Sequence, residues 1–174
     1  LSYMVLGAGM LTAAGMTGGI LHIAMHAFGK ITLFFCAGAI YVAHHKKYIS
    51  QMDGLGRKMP ITYLAFFLGS MSIIGMPPMG GFISKWNLVI GAVEGDHLLL
   101  LLVLLISSLL NAAYFFPIVY RGFFAKAPEG EEATGIQEAP IFCLLPLSVT
   151  ALASLALFFY SDIFYGLAHL ALFP

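Results

Sequence analysis

The sequence predicts an all-α polytopic membrane protein of about five transmembrane spans, one of them a discontinuous helix. Three observations carry that prediction. Of the 174 residues, 60% are hydrophobic and 9% charged, against about 25% charged in an ordinary soluble domain, and mean hydropathy is +0.94. The apolar residues fall in long stretches separated by short polar or glycine-containing segments. One stretch is interrupted near its centre by two adjacent prolines among glycines. Such a length has room for five or six helices of about 20 residues. Residues 1–174 therefore read as one transmembrane domain, with extramembrane loops at 44–59 and 125–139.

The elements follow in chain order. An apolar stretch covers Tyr3 to Ala14, and a longer one runs from Thr17 to Ala43 after a small-residue break expected at Gly15 to Gly19. A polar segment follows, from His44-His45-Lys46-Lys47 to Arg57-Lys58, and Pro60 closes it, a residue that suits the start of a helix. From Ile61 to Val93 the chain is apolar again, but Gly75-Met76-Pro77-Pro78-Met79-Gly80-Gly81 lies in its middle. The two prolines remove two backbone donors, so a broken helix of the transporter kind is expected there, facing protein or internal water. After Glu94-Gly95-Asp96-His97, a fourth stretch runs from Leu98 to Phe124. An acidic loop, Glu129 to Glu138, leads to a last span from Pro140 to Tyr160 and a short apolar tail, Ser161 to Pro174.

Charge placement gives a topology. Counting the broken helix as one crossing puts Lys46, Lys47, Arg57 and Lys58 on the same side as Arg121 and Lys126, and the positive-inside rule makes that side cytoplasmic. Glu94, Asp96 and the C-terminus then lie opposite. Net charge is zero, with no basic run to suggest nucleic acid. Cys36 and Cys143 each stand alone in apolar surroundings, as two small buried side chains rather than a disulfide or a cluster site. The opening Leu-Ser-Tyr-Met-Val-Leu-Gly has neither an initiator Met nor a signal-peptide pattern, so the sequence is expected to be a piece of a longer chain.

The ionisable residues inside the apolar stretches carry the chemistry. His22, His26 and Lys30 are spaced four and four apart, which places them within an arc of about 80° along about 12 Å of helix. Lys30 lies near the midpoint of its stretch, where an unpaired charge costs roughly 3 kcal/mol or more. It is expected to face protein or internal water, and this group of residues can take up and release protons. Zinc would use the paired histidines, but no acidic or cysteine ligand lies near them and lysine is a poor zinc ligand. A haem would need an axial partner from His97 or His169, both near span ends. A hydrogen-bonding role between helices is the remaining alternative. Lys85 is placed in the first turn of the helix that restarts after the break, where the positive end of the helix dipole opposes a cation. It reads as a proton exchange point, or alternatively as a lysine reaching the interface. Ser107, Ser108 and Asn111 read as interhelical hydrogen bonds, and Glu94, Asp96 and Asp162 as solvated ends.

Three segments carry a family resemblance: His22-Ile-Ala-Met-His26-Ala-Phe-Gly-Lys30 through Leu33-Phe-Phe-Cys-Ala-Gly38, Met52-Asp-Gly-Leu-Gly-Arg57-Lys58-Met-Pro60, and Gly75-Met-Pro-Pro-Met-Gly-Gly-Phe-Ile-Ser-Lys85. Across about the first 95 residues the chain resembles the antiporter-like, proton-translocating membrane subunits shared by NADH:quinone oxidoreductase (complex I) and Mrp-type multisubunit cation/proton antiporters. The resemblance implies the second half of an inverted-repeat fold. It makes Lys30 the central lysine of a polar axis, His22 and His26 its relay partners, and Lys85 the terminal residue beside the broken helix, whose special positions are Gly75, Pro77, Pro78, Gly80 and Gly81. The glutamate–lysine pair that begins the family's pathway has no counterpart here. One complex I member carries glutamate at the position of Lys85, and another ends in a long lateral helix with no match before Pro174. The resemblance therefore points first to a D-type Mrp subunit or an equivalent stand-alone relative, then to a membrane subunit of complex I or a related hydrogenase, with a non-transporting structural subunit as a further alternative. It implies membrane lipids and other membrane subunits as partners, H⁺ and a candidate Na⁺ as transported ions, no cofactor, no redox site, and a multi-pass place in the inner (plasma) membrane.

Overall fold

The computed structural model describes residues 1–126 and 135–172, and all of their regular structure is helical. Helices α1 (Ser2–Gly9), α2 (Ala13–His44), α3 (Pro60–Ile74), α4 (Gly80–Glu94), α5 (Leu98–Phe124), α6 (Ile141–Phe159) and α7 (Asp162–Leu172) follow in order. Helices α2, α5 and α6 are each long and apolar enough to cross a membrane. Most of the acidic loop expected at Glu129 to Glu138 lies outside the described residues.

The break expected at Gly15 to Gly19 lies elsewhere. The chain turns at residues 10–12, where Leu11 adopts φ 54°, and Thr12 caps α2 by accepting from the Gly15 amide at 3.2 Å. The glycines sit inside α2 because two other helices press against it there. A Cβ on Gly18 would lie 2.8 Å from the Leu88 amide nitrogen, and one on Gly7 2.5 Å from the Gly15 carbonyl oxygen. Small residues serve as contact points between helices in lipid, so this glycine cluster marks a close contact and not a turn.

Helix α2 has 32 residues, about 48 Å at 1.5 Å per residue, and forms the spine of the bundle. Along α3 and α4 the facing residues run Gly69, Ser72, Gly80, Asn87 and Gly91, while along α2 they run backwards through Thr32, Gly29, Met25, Gly18 and Gly15. Both shorter helices therefore point the same way, antiparallel to α2, and together make one interrupted crossing. The interruption is level with Met25 to Gly29, the middle of α2. Gly75 ends α3 at φ 84°, and its amide and that of Met76 both donate to the Met71 carbonyl at 2.9 and 3.0 Å. That is a left-handed glycine terminus, and Pro77 and Pro78 then offer no amide to continue the ladder. The Met76-Pro77-Pro78 turn is exposed on the outer surface, whereas Gly80 and Gly81 are buried.

Contacts at the helix ends agree with one crossing. Asp53, in the segment between α2 and α3, accepts two bonds from Arg121 at the end of α5, at 2.7 and 2.8 Å. The Gly54 amide donates to the Arg121 carbonyl at 3.1 Å, and Arg57 Nε donates to the Phe123 carbonyl at 2.7 Å. The basic groups of both segments thus gather at one end of the bundle. At the other end, Thr12 donates to the Gly91 carbonyl at 3.2 Å. Glu138, expected as part of an acidic loop, caps α3 instead: it accepts from the Ile61 amide at 2.5 Å and the Thr62 hydroxyl at 2.7 Å, a carboxylate at the positive end of a helix.

The core runs along α2 between α3 and α6, around Cys36, Ile40, Met59, Tyr63 and Leu147. Helix α5 buries only Leu104 and Gly122 and presents Leu98, Leu102, Leu105 and Leu109 outward, as a lipid-facing helix does. The apolar tail folds as α7, tied back to the bundle by a hydrogen bond from the Tyr165 hydroxyl to the Asn87 side chain.

Candidate functional site

Four-residue spacing on a straight helix places His22, His26 and Lys30 on one face of α2, and that face forms one wall of a cleft of about 570 Å³. The other walls are Tyr3 of α1, Ile73 of α3, and Ser107, Asn111 and Tyr114 of α5. Burial falls along the row: His22 is buried, His26 half-buried and Lys30 exposed to the cleft. The imidazole centroids of His22 and His26 are 5.3 Å apart. Lys30 Nζ lies 5.8 Å from the Phe34 ring centroid.

His22 Nδ1 is 2.8 Å from the Ser84 hydroxyl, which itself donates to the Gly81 carbonyl at 3.1 Å. A hydroxyl has one proton. With that proton on Gly81, Ser84 accepts from His22 Nδ1–H, and Nε2 is left as a bare acceptor. Nε2 is buried without a hydrogen-bond partner. An unpaired buried acceptor costs about 1–3 kcal/mol.

Lys85 is the sixth residue of α4, in its second turn. The expected first-turn placement is corrected by the helix starting at Gly80. From there its chain folds back over Gly75, where an added Cβ would meet Lys85 Cδ at 2.6 Å. Nζ donates to the Ile74 carbonyl and to the Ser108 hydroxyl, both at 3.0 Å. Its electrostatic partner is therefore the negative, C-terminal end of α3. The break supplies that partner, because Ile74 has no residue in helical register four places on. Lys85 is 8% exposed, and its two hydrogen bonds go to α3 and α5.

The structure brings His22, His26 and Lys30 into one cleft and sets Lys85 beside it, close but not lining it. Tyr3 stands between. Its hydroxyl donates to Ser107 at 2.7 Å, its ring centroid is 5.2 Å from that of His22, and Lys85 Nζ sits 4.7 Å from the same centroid. Ser107 and Ser108 do join helices, as their polarity suggested, and their partners are site residues. Sequence reasoning missed Tyr3 and Ser84. Tyr3 left only a faint signal, one hydroxyl beside that of Ser2 at the start of an apolar stretch, and Ser84 is masked by its neighbour Lys85.

Among the described residues no group of three or more His, Cys, Asp or Glu side chains is arranged to hold a metal ion. What the arrangement offers is a series of imidazole, amine and hydroxyl groups with space for water between them, the components of stepwise proton transfer.

Residues 1–111 match the sequence model of a family described as NADH:quinone oxidoreductase/Mrp antiporter, transmembrane. NADH-quinone oxidoreductase subunit N of Desulforudis audaxviator is 38% identical over 127 residues, 73% of this chain and 25% of that one. NADH-quinone oxidoreductase subunit L of Escherichia coli is 32% identical over 133 residues, 74% of this chain and 22% of that one. The chain thus spans about a quarter of the curated relatives it matches. A chain of the Mrp complex from Dietzia sp. superposes with a TM-score of 0.83 at 24% identity, covering 95% of this chain and 39% of that one. A chain of the membrane-bound sulfane sulfur reductase, an archaeal respiratory membrane complex, gives 0.78 at 26% identity over 88% of this chain and 25% of that one.

Proposed function

The chain belongs to the NADH:quinone oxidoreductase/Mrp antiporter transmembrane family, and from that membership we propose that it is part of a membrane subunit that translocates protons. In this reading the whole of 1–174 is one transmembrane domain, with 44–59 and 125–139 outside the bilayer on the cytoplasmic side of an inner membrane. Protons pass along His22, His26 and Lys30, and reach Lys85 at the helix break. The observation that carries the reading is the cleft: three proton-exchanging side chains of one helix face a single space, level with the middle of the 32-residue α2. Ionisable groups at that depth are costly unless they serve a pathway or a partner.

The assembly around it is a Mrp-type cation/proton antiporter, with other membrane subunits as neighbours and Na⁺ as the exchanged ion. A specific observation favours a second reading, a subunit of an NADH:quinone oxidoreductase, since the curated relatives carry that name. Dissipation of an imposed proton gradient on adding Na⁺ to vesicles supports the antiporter. Proton uptake that follows NADH oxidation and ignores Na⁺ supports the oxidoreductase.

The proton path is tested at Lys85 in the full-length subunit, after equal assembly has been verified. Arginine keeps the positive charge and does not deprotonate under physiological conditions, whereas histidine does. Lys85→Arg is expected to slow transport about a hundredfold, within the usual range for a lost proton-transfer group, and Lys85→His to retain a measurable rate. A normal rate in Lys85→Arg would remove Lys85 from the path and leave it an electrostatic role.

A further inference from the structure

We propose that Tyr3 is a gate residue: its ring closes Lys85 off from the cleft that holds His22, His26 and Lys30. The proposal deepens the proton-transfer reading and rests on it for its purpose, but its geometry is independent of that reading. The ring stands between the cleft and Lys85. On the cleft side Tyr3 is a lining residue, with its centroid 5.2 Å from that of His22. On the other side it lies under the Lys85 ammonium, 4.7 Å away. Lys85 and its partners Ile74 and Ser108 are absent from the cleft lining. Lys85 and His22 sit against the same ring and share no hydrogen bond among those of either side chain.

The gate has a latch and a hinge. Its latch is the 2.7 Å bond from the Tyr3 hydroxyl to Ser107, next in sequence to the serine that holds Lys85. A cation over a ring face adds attraction of about 0.5–2 kcal/mol, more when desolvated, so Lys85 itself helps to hold the ring in place. The hinge is the Tyr3 side chain itself, which can turn between staggered χ1 rotamers, because α1 is held against α2 at Gly7, where an added Cβ would lie 2.5 Å from the Gly15 carbonyl oxygen. Opening requires the ring to leave Lys85 and the hydroxyl to leave Ser107 together. The ring also leaves its contact with His22, and each of the three is a single contact.

The test reads access and not transport. In a full-length subunit whose cysteines, Cys36 and Cys143 among them, are replaced by alanine, Lys85→Cys places a thiol behind the ring, which the Ser107 bond still holds. Membranes are treated with a small cationic methanethiosulfonate reagent, and labelling is followed over time. With Tyr3 present, labelling should be slow. Adding Tyr3→Ala should raise the rate about tenfold or more, as reactivity follows thiol accessibility, while Tyr3→Phe should leave it slow, because the ring is the barrier. If the alanine variant does not assemble, Tyr3→Leu removes the flat ring while keeping apolar bulk, and is expected to label faster than Tyr3→Phe. Equal rates in all variants, or a Tyr3→Phe rate as high as that of Tyr3→Ala, would overturn the gate. Because labelling of the thiol needs no transport, these outcomes do not depend on the proton-transfer reading, which stands or falls on Lys85→Arg.

Discussion

Gly81 is the residue on which the closest approach in the bundle depends. A Cβ there would lie 1.8 Å from the Ser72 carbonyl oxygen, so the start of α4 and the end of α3 touch through bare backbone. Ser72 also packs its side chain against Gly29 of α2, so this part of α3 is held on a second side. Gly81→Ala is expected to destabilise the protein by about 3 kcal/mol, the upper end of ordinary overpacking costs, and to disturb the nearby Lys85 contacts with it. Gly38→Ala serves as the comparison, since Gly38 is also helical but has nothing within 4 Å of its added Cβ. That change should be neutral or stabilising by up to about 1 kcal/mol, the helix propensity difference. Thermal unfolding in detergent measures both. Equal melting temperatures for the two variants would mean that the break is more loosely packed than these distances imply.

At the scale of elements, the segment between α2 and α3 works as a clamp on the end of α5. Asp53 and Arg121 form a bidentate pair, and the Arg121 hydrogen bond holds the Asp53 carboxyl below its ordinary titration range. A carboxyl with a lowered folded-state pKa contributes stability above its unfolded value and loses it as pH falls through the folded value. Asp53→Asn should therefore lower the melting temperature slightly at neutral pH, and the gap to the unsubstituted protein should close on acidification below about pH 4. The expected effect is small because the pair is exposed. A gap that stays constant down to about pH 2, below the ordinary carboxyl range, would show that the carboxylate charge contributes nothing. This clamp could not be read from the sequence, where Asp53 and Arg121 are 68 positions apart. The stretches themselves were legible: Leu98 to Phe124 coincides with α5, and Pro60 opens α3 as a helix-starting proline should. The glycines mislead at Gly15 to Gly19, because composition does not distinguish a turn from a close helix contact.

For the whole molecule, a long α2 crossed by an interrupted α3–α4 pair explains why the stripe on α2 and the lysine after the break lie close together. Four-residue spacing alone makes His22, His26 and Lys30 legible as a row. The proximity of Lys85 is not legible in the same way, since it depends on α4 running antiparallel beside the first half of α2 and on the Ser84 bond to His22. Nor is that of Tyr3, 104 positions from its hydroxyl partner on α5. The central claim is that protons cross through this row, and Lys30→Met tests it most directly. Methionine keeps similar length and apolar bulk at a position open to the cleft, while removing the side-chain amine. The measurement is proton transport into vesicles by the full-length assembly carrying Lys30→Met, with subunit content checked beforehand. Intact assembly with transport reduced about a hundredfold or more, the scale of a lost proton-transfer group, is the predicted result; intact assembly with transport at the normal rate would contradict it.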